Sequence, residues 1–109
     1  MQMIKSLRGM NDILSEDYER FTYFINTATD VAHRYGFHFI ETPLLEETAL
    51  FKRSVGESSD IVGKEMYQFI DKGEHDVCLR PEGTAGVVRA FIEKKLDRAG
   101  GLHRYFYHG

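Results

Sequence analysis

Apolar residues recur at Tyr18, Phe21, Ile25, Ala28, Ala32 and Tyr35, three or four positions apart, with polar side chains in most of the gaps. That period gathers them on one face and predicts a long amphipathic helix over residues 15–35. Ser15 is the candidate N-cap, Glu16 and Asp17 are first-turn acids favoured by the helix dipole, and Gly36 is the candidate stop. Residues 1–14 form a lead-in whose polar turn is Arg8-Gly9-Met10-Asn11-Asp12. Beyond Gly36 the period changes. Residues 37–42 are rich in β-formers, and Pro43 holds Thr42 extended, so a strand is expected there. Residues 44–51 read as a short helix and residues 53–65 as a polar loop. Residues 66–70 and 77–79 read as strands joined hairpin-fashion through Asp71-Lys72-Gly73-Glu74. Pro81 suits the first turn of a second helix, striped by Val88, Phe91, Ile92 and Leu96 and ended by Gly100-Gly101. Residues 102–107 read as a further strand, expected to lack its sheet partner and to leave an unpaired edge. Short adjacent strands, without regular strand–helix–strand units, predict an α+β domain built on a largely antiparallel sheet with flanking helices.

Composition narrows the class. At 109 residues and 42% apolar, the chain suits one compact domain, and a 13% aromatic share is unlike a disordered segment. A net charge of −3 lacks the basic footprint of a dedicated nucleic-acid binder. The single cysteine, Cys78, excludes an internal disulfide and fits a small core residue in a reducing cytosol better than a nucleophile. No apolar run has membrane-spanning length and no signal-peptide pattern opens the chain, so a cytoplasmic protein is expected.

The candidate chemistry concentrates in Leu79-Arg80-Pro81-Glu82-Gly83-Thr84-Ala85-Gly86. A carboxylate, a glycine and a hydroxyl stand there at the mouth of the second helix. Glu82 can take an ammonium group, with Thr84 as a second polar contact. The structural alternative makes Glu82 only an acid at a helix start, worth about 0.3–1 kcal/mol. Spacing alone favours that alternative. Elsewhere, His33, His38, His75, His103 and His108 lack the paired spacing of a zinc helix, and solvated or packing roles suit them better. Arg80 fits an anchor of the strand end, through a carboxylate, better than a phosphate contact. Glu57 and Asp60 sit in the loop with no phosphate-cradling pattern. Lys94, Lys95 and Arg98, interleaved with Glu93 and Asp97, read as a solvated helix face.

With these residues in view, the chain resembles the N-terminal part of a histidyl-tRNA synthetase, a class II aminoacyl-tRNA synthetase. Arg8-Gly9-Met10-Asn11-Asp12 resembles that family's opening signature. Tyr35-Gly36-Phe37 through Ile40-Glu41-Thr42-Pro43-Leu44-Leu45-Glu46 resembles motif 1, a helix and strand used for dimerisation. Gly56-Glu57-Ser58-Ser59-Asp60-Ile61-Val62 with Lys64-Glu65-Met66-Tyr67 is similar to the segment that follows. Residues 79–85 are similar to the amino-acid-binding signature, and Arg104-Tyr105-Phe106-Tyr107-His108-Gly109 resembles the first strand of motif 2. Pro43 supports the class, whereas the ordered set at 64–67, 80–85 and 104–109 is specific to the family.

The resemblance implies a class II antiparallel sheet, incomplete in this chain, and a parent that is a cytoplasmic, homodimeric ligase joining histidine to tRNA(His) with ATP and Mg²⁺. Residues 1–109 would be the N-terminal part of its catalytic domain, without motif 3 or the anticodon-binding domain. By the same resemblance Glu82 binds the substrate α-ammonium, Thr84 adds a polar contact and Gly83 permits close backbone approach. The arginines that neutralise phosphate charge and the imidazole-reading residues have no counterpart in this chain, so no catalytic residue and no metal ligand is assigned here. Two other readings remain: a non-catalytic histidine-sensing or regulatory subunit, disfavoured by glutamate rather than aspartate at Glu82, and a dimerisation module centred on Phe21, Ile25 and Phe39.

Overall fold

The computed structural model describes residues 2–55 and 66–109, without the side chains of residues 54 and 55. The Gly56–Val62 and Lys64-Glu65 parts of the resemblance, and the loop acids Glu57 and Asp60, lie outside the described residues. The chain divides into two compact units, Met1–His38 and Phe39–Gly109.

The first unit is dominated by α1, Ser15–Arg34. Its start departs from expectation. Leu14 occupies the N-cap position with extended backbone and no capping side chain, so Ser15 is the first helical residue rather than the cap. Glu16 instead pairs with Arg20 one turn on, at 2.8 Å. The end follows the expected glycine stop. Gly36, at φ +80°, sends its N–H to the His33 carbonyl, and the Phe37 N–H reaches that of Ala32, each at 3.0 Å. These paired bonds form a Schellman motif, whose left-handed residue favours glycine. No residue of α1 is buried, and Tyr18, Phe21, Phe24 and Tyr35 all stand exposed.

The second unit holds the sheet. Strands β2 (Leu45–Glu47), β3 (Gln68–Ile70) and β4 (Asp76–Leu79) lie in the order β2-β4-β3, both pairings antiparallel. Residues 44–51 are therefore not a single helix. Leu45, Glu46 and Glu47 pair with Leu79, Cys78 and Val77, and α2 begins only at Thr48, running to Val55. The ladder to β4 overrides the short helical pattern at Leu44 and Leu45. The β3–β4 hairpin forms where expected. Its loop is tied by the Asp71 carboxylate, which accepts the N–H groups of Gly73 and His75 at 2.9 and 2.8 Å.

Period-2 alternation sends Glu46, Cys78 and Gln68 to one face of this sheet. The core lies on that face: Phe51 of α2 and Cys78 are fully covered, Ala85 of α3 is nearly so, and Leu50 and Met66 pack around them. Cys78 is thus a buried core residue, and burial raises its thiol above the ordinary range. The third helix, α3, spans Thr84–Glu93 with Gly83 at its N-cap. Pro81 precedes the helix instead of opening it. Lys95, at φ +57°, breaks the chain into a 3₁₀ turn at Leu96–Ala99, so Leu96 does not continue the α3 stripe. Lys94, Lys95 and Arg98 consequently share no helix face, although all three are exposed as expected.

The last strand, β5 (Tyr105–Phe106), is not without a partner. It pairs with β1 (His38–Phe39), and the Ile40 N–H reaches the Phe106 carbonyl at 3.0 Å. Phe39 meets Phe106 edge-on, with ring centroids 5.5 Å apart. The α+β class and the antiparallel sheet with flanking helices agree with expectation. Among the described residues, no helix is long and apolar enough to cross a membrane.

Candidate amino-acid-binding site

Strand β4 ends at Leu79, and the next four residues turn the chain into α3. Two arginine anchors hold that turn. The Arg80 guanidinium donates to both the carbonyl and the hydroxyl of Thr42 at 3.1 Å, while its backbone N–H reaches the Leu44 carbonyl at 2.9 Å. Arg80 is the expected anchor, but its acceptors are a carbonyl and a hydroxyl in place of the expected carboxylate. One helical turn into α3, Arg89 Nε approaches both oxygens of Glu46, at 2.9 and 3.2 Å. The Glu46 side chain is only 7% exposed and that of Arg89 28%. Between them Gly86 lets the helix approach, since a Cβ there would stand 2.8 Å from Glu46 Oε2 and 3.1 Å from Thr42 Oγ1. The sequence offered no signal for the Arg89–Glu46 pair, whose members are 43 residues apart.

On this base sit the three expected residues, and the structure brings them together. Glu82 is half-buried just before the N-cap. Its Oε2 accepts the Thr84 N–H at 2.6 Å and its Oε1 the Ala85 N–H at 3.1 Å. Glu82 therefore caps α3, satisfying two of the N–H groups that a helix start leaves unpaired. The structural alternative for Glu82 is real, and it acts through direct bonds rather than through the dipole alone. It does not exhaust the group. A carboxylate offers about four acceptor positions, and the backbone uses two.

Gly83 is required for a reason internal to the chain. A Cβ on it would lie 2.6 Å from Tyr107 Cζ and 2.9 Å from Tyr107 Oη. Its φ of −100° is open to any residue, so the ring of Tyr107 alone excludes a side chain. The same tyrosine reaches Thr84, with Oη 3.2 Å from Oγ1. Tyr107 was visible in the sequence only as part of the signature at 104–109, and nothing there joined it to Thr84.

The histidines take the packing and solvated places expected of them where the structure describes their surroundings. His103 lies between Phe91 and Tyr105, at centroid distances of 5.4 and 6.1 Å, and His108 lies 5.3 Å from Phe39. His75 faces the Asp71 carboxylate at 3.2 Å in the hairpin loop. That loop holds Asp71 below the usual carboxylate range, chiefly through the His75 backbone N–H. Across the sheet Asp76 is likewise lowered, first by the Thr48 hydroxyl at 2.8 Å and then by the Gln68 amide at 2.9 Å.

Known proteins resemble this chain closely. A family model described as histidyl-tRNA synthetase matches residues 9–109. A protein of Sulfurimonas denitrificans named histidine–tRNA ligase is 88% identical over 107 residues, covering 98% of this chain and 27% of its own length. One of the same name from Nitratiruptor is 74% identical over 106 residues, with coverages of 97% and 26%. The crystal structure of apo S. aureus histidyl-tRNA synthetase superposes with a TM-score of 0.84 at 40% identity, over 98% of this chain and 25% of that one. A Bacillus halodurans structure titled ATP phosphoribosyltransferase regulatory subunit/histidyl-tRNA synthetase gives 0.79 at 28% identity, over 100% and 27%. The chain thus spans about a quarter of the length of the curated relatives it matches.

Proposed function

Because the chain belongs to the histidyl-tRNA synthetase family, we propose that it forms the N-terminal part of the catalytic domain of a cytoplasmic histidine–tRNA ligase. The complete enzyme activates histidine with ATP to histidyl-adenylate and transfers the acyl group to tRNA(His). Within this chain the role is to hold the amino acid. The observation that carries it is a Glu82 carboxylate held by the Thr84 backbone N–H at the start of α3, with acceptor positions to spare, within the span of the family match. The two acceptor positions that Glu82 keeps free receive the substrate α-ammonium, and the Thr84 oxygen receives another of its hydrogens. A charge-assisted bond of this kind is worth about 1.5–3 kcal/mol and orients the carboxylate of the amino acid for attack on ATP.

The chain supplies little of the remaining chemistry. Arg80 is engaged by Thr42, and Arg89 by Glu46 and by Glu93 at 3.3 Å, so neither is assigned to ATP. Among the described residues no three His, Cys, Asp or Glu side chains converge to hold a metal, and none of them is assigned to Mg²⁺. The exposed stripe of α1, with Tyr18 and Phe21 each more than half accessible, supports homodimerisation through motif 1. The regulatory-subunit reading is disfavoured by the names of the 88% and 74% identical relatives, both ligases.

The test is Glu82→Gln in the full-length ligase, read by histidine-dependent pyrophosphate exchange. The KM for histidine should rise by about tenfold or more, as loss of a charged hydrogen bond requires, with the KM for ATP little changed. An unchanged KM for histidine would remove Glu82 from the site.

A further inference from the structure

Tyr107 has no part in the reading above, yet it touches both residues that follow Glu82. Its ring occupies the space a side chain on residue 83 would need, and its hydroxyl stands 3.2 Å from the Thr84 hydroxyl. Two hydroxyls at that distance can share a hydrogen bond in either direction. A bound ammonium favours one direction. An ammonium only donates, so the Thr84 oxygen presents a lone pair to it and the Thr84 hydrogen points elsewhere, with Tyr107 Oη an acceptor within reach.

On the basis of the amino-acid site proposed above, we propose that Tyr107 is a positioning residue that accepts the Thr84 hydroxyl hydrogen, turning the Thr84 oxygen toward the α-ammonium of the amino acid. Tyr107 stays 43% exposed, so its own hydrogen goes to solvent at no loss of a buried partner. Donation to Tyr107 also polarises the Thr84 oxygen and makes it a better acceptor. The arrangement is already in place in the ligand-free chain. The Thr84 N–H is fixed by Glu82, and β5, which ends one residue before Tyr107, is held by β1 and by the edge-on pair of Phe39 and Phe106. The residue therefore acts through Thr84 and makes no contact with the reacting atoms.

The test combines Tyr107→Phe with Thr84→Val in the full-length ligase, read by pyrophosphate exchange with histidine and ATP varied in turn. Phenylalanine keeps the ring against Gly83 and removes only the hydroxyl. Tyr107→Phe should raise the KM for histidine about three- to tenfold, the range of one neutral hydrogen bond, and leave the KM for ATP and kcat near wild type. In the Thr84→Val background the same change should do nothing further, because its only route of action has been removed. Additive effects, or equal losses toward histidine and ATP, would overturn the positioning role by making Tyr107 a general support. A histidine KM raised by Thr84→Val and untouched by Tyr107→Phe would overturn it while leaving the amino-acid site standing. If neither variant moves the KM for histidine, the site reading fails and the inference falls with it.

Discussion

The Arg89–Glu46 pair makes an asymmetric prediction about stability. Glu46 lies on the core face of β2 with its side chain 7% exposed, and Arg89 supplies its ionic partner at 2.9 Å. Replacing Arg89 by Met keeps the aliphatic length but strands a buried carboxylate. Breaking a buried pair in this way costs about 3–5 kcal/mol, and the 28% exposure of Arg89, which lets some water in, sets the expectation near 3 kcal/mol. Replacing Glu46 by Gln should cost only about 1–2 kcal/mol, since a guanidinium hydrogen bond to an amide remains possible and Arg89 keeps Glu93 at 3.3 Å. The double variant should cost less than the two singles added, with a coupling of about 1–3 kcal/mol. Urea unfolding followed by circular dichroism at fixed salt and pH 7 measures all three. Equal costs for the two single variants, or strict additivity, would refute the reasoning.

Other positions make separate predictions. Gly83→Ala should lower stability by about 1–3 kcal/mol, as overpacking does, and Tyr107→Ala should recover part of that loss; no recovery would show that Tyr107 is not the obstacle. Asp76 titrates below its ordinary range because Thr48 and Gln68 bond its charged form. Its contribution is present above the unfolded carboxylate value near 3.9 and is lost as pH falls through the lower folded value. Asp76→Asn should therefore flatten the acid limb of unfolding below the ordinary carboxylate range, and an unchanged slope there would count against the bonds. Cys78 is fully covered and its thiol is raised by burial, so a thiol reagent should label it only as fast as the protein opens, and rapid labelling of the native state would contradict the core.

What the sequence revealed follows from how local each signal is. The stripe and the glycine of α1 are contained in one helix, and both its existence and its end were legible. The β3–β4 hairpin was legible because its loop chemistry lies within five residues of Asp71. Leu44 to Phe51 was misread because the choice of strand is made by β4, more than 30 residues away, through pairs such as Leu45 with Leu79. Pro81 was placed inside α3 because the motif gave no sign that Glu82 would cap from outside it. At the site, Glu82, Gly83 and Thr84 were found as a contiguous signature. Their supports were not, because Tyr107 lies 23 residues from Thr84 and Arg80 lies 38 from Thr42. Hydrogen bonds between distant side chains leave no periodicity to read.

The central claim is that Glu82 receives the α-ammonium of the amino acid, and calorimetric binding of histidine against its des-amino analogue tests it most directly. In the full-length wild-type ligase, histidine should bind more tightly by about tenfold or more, the equivalent of a charge-assisted hydrogen bond. In Glu82→Gln most of that preference should vanish, because the variant weakens histidine while leaving the analogue nearly unaffected. A preference for histidine of the same size in the variant would contradict the account, and would confine Glu82 to capping α3.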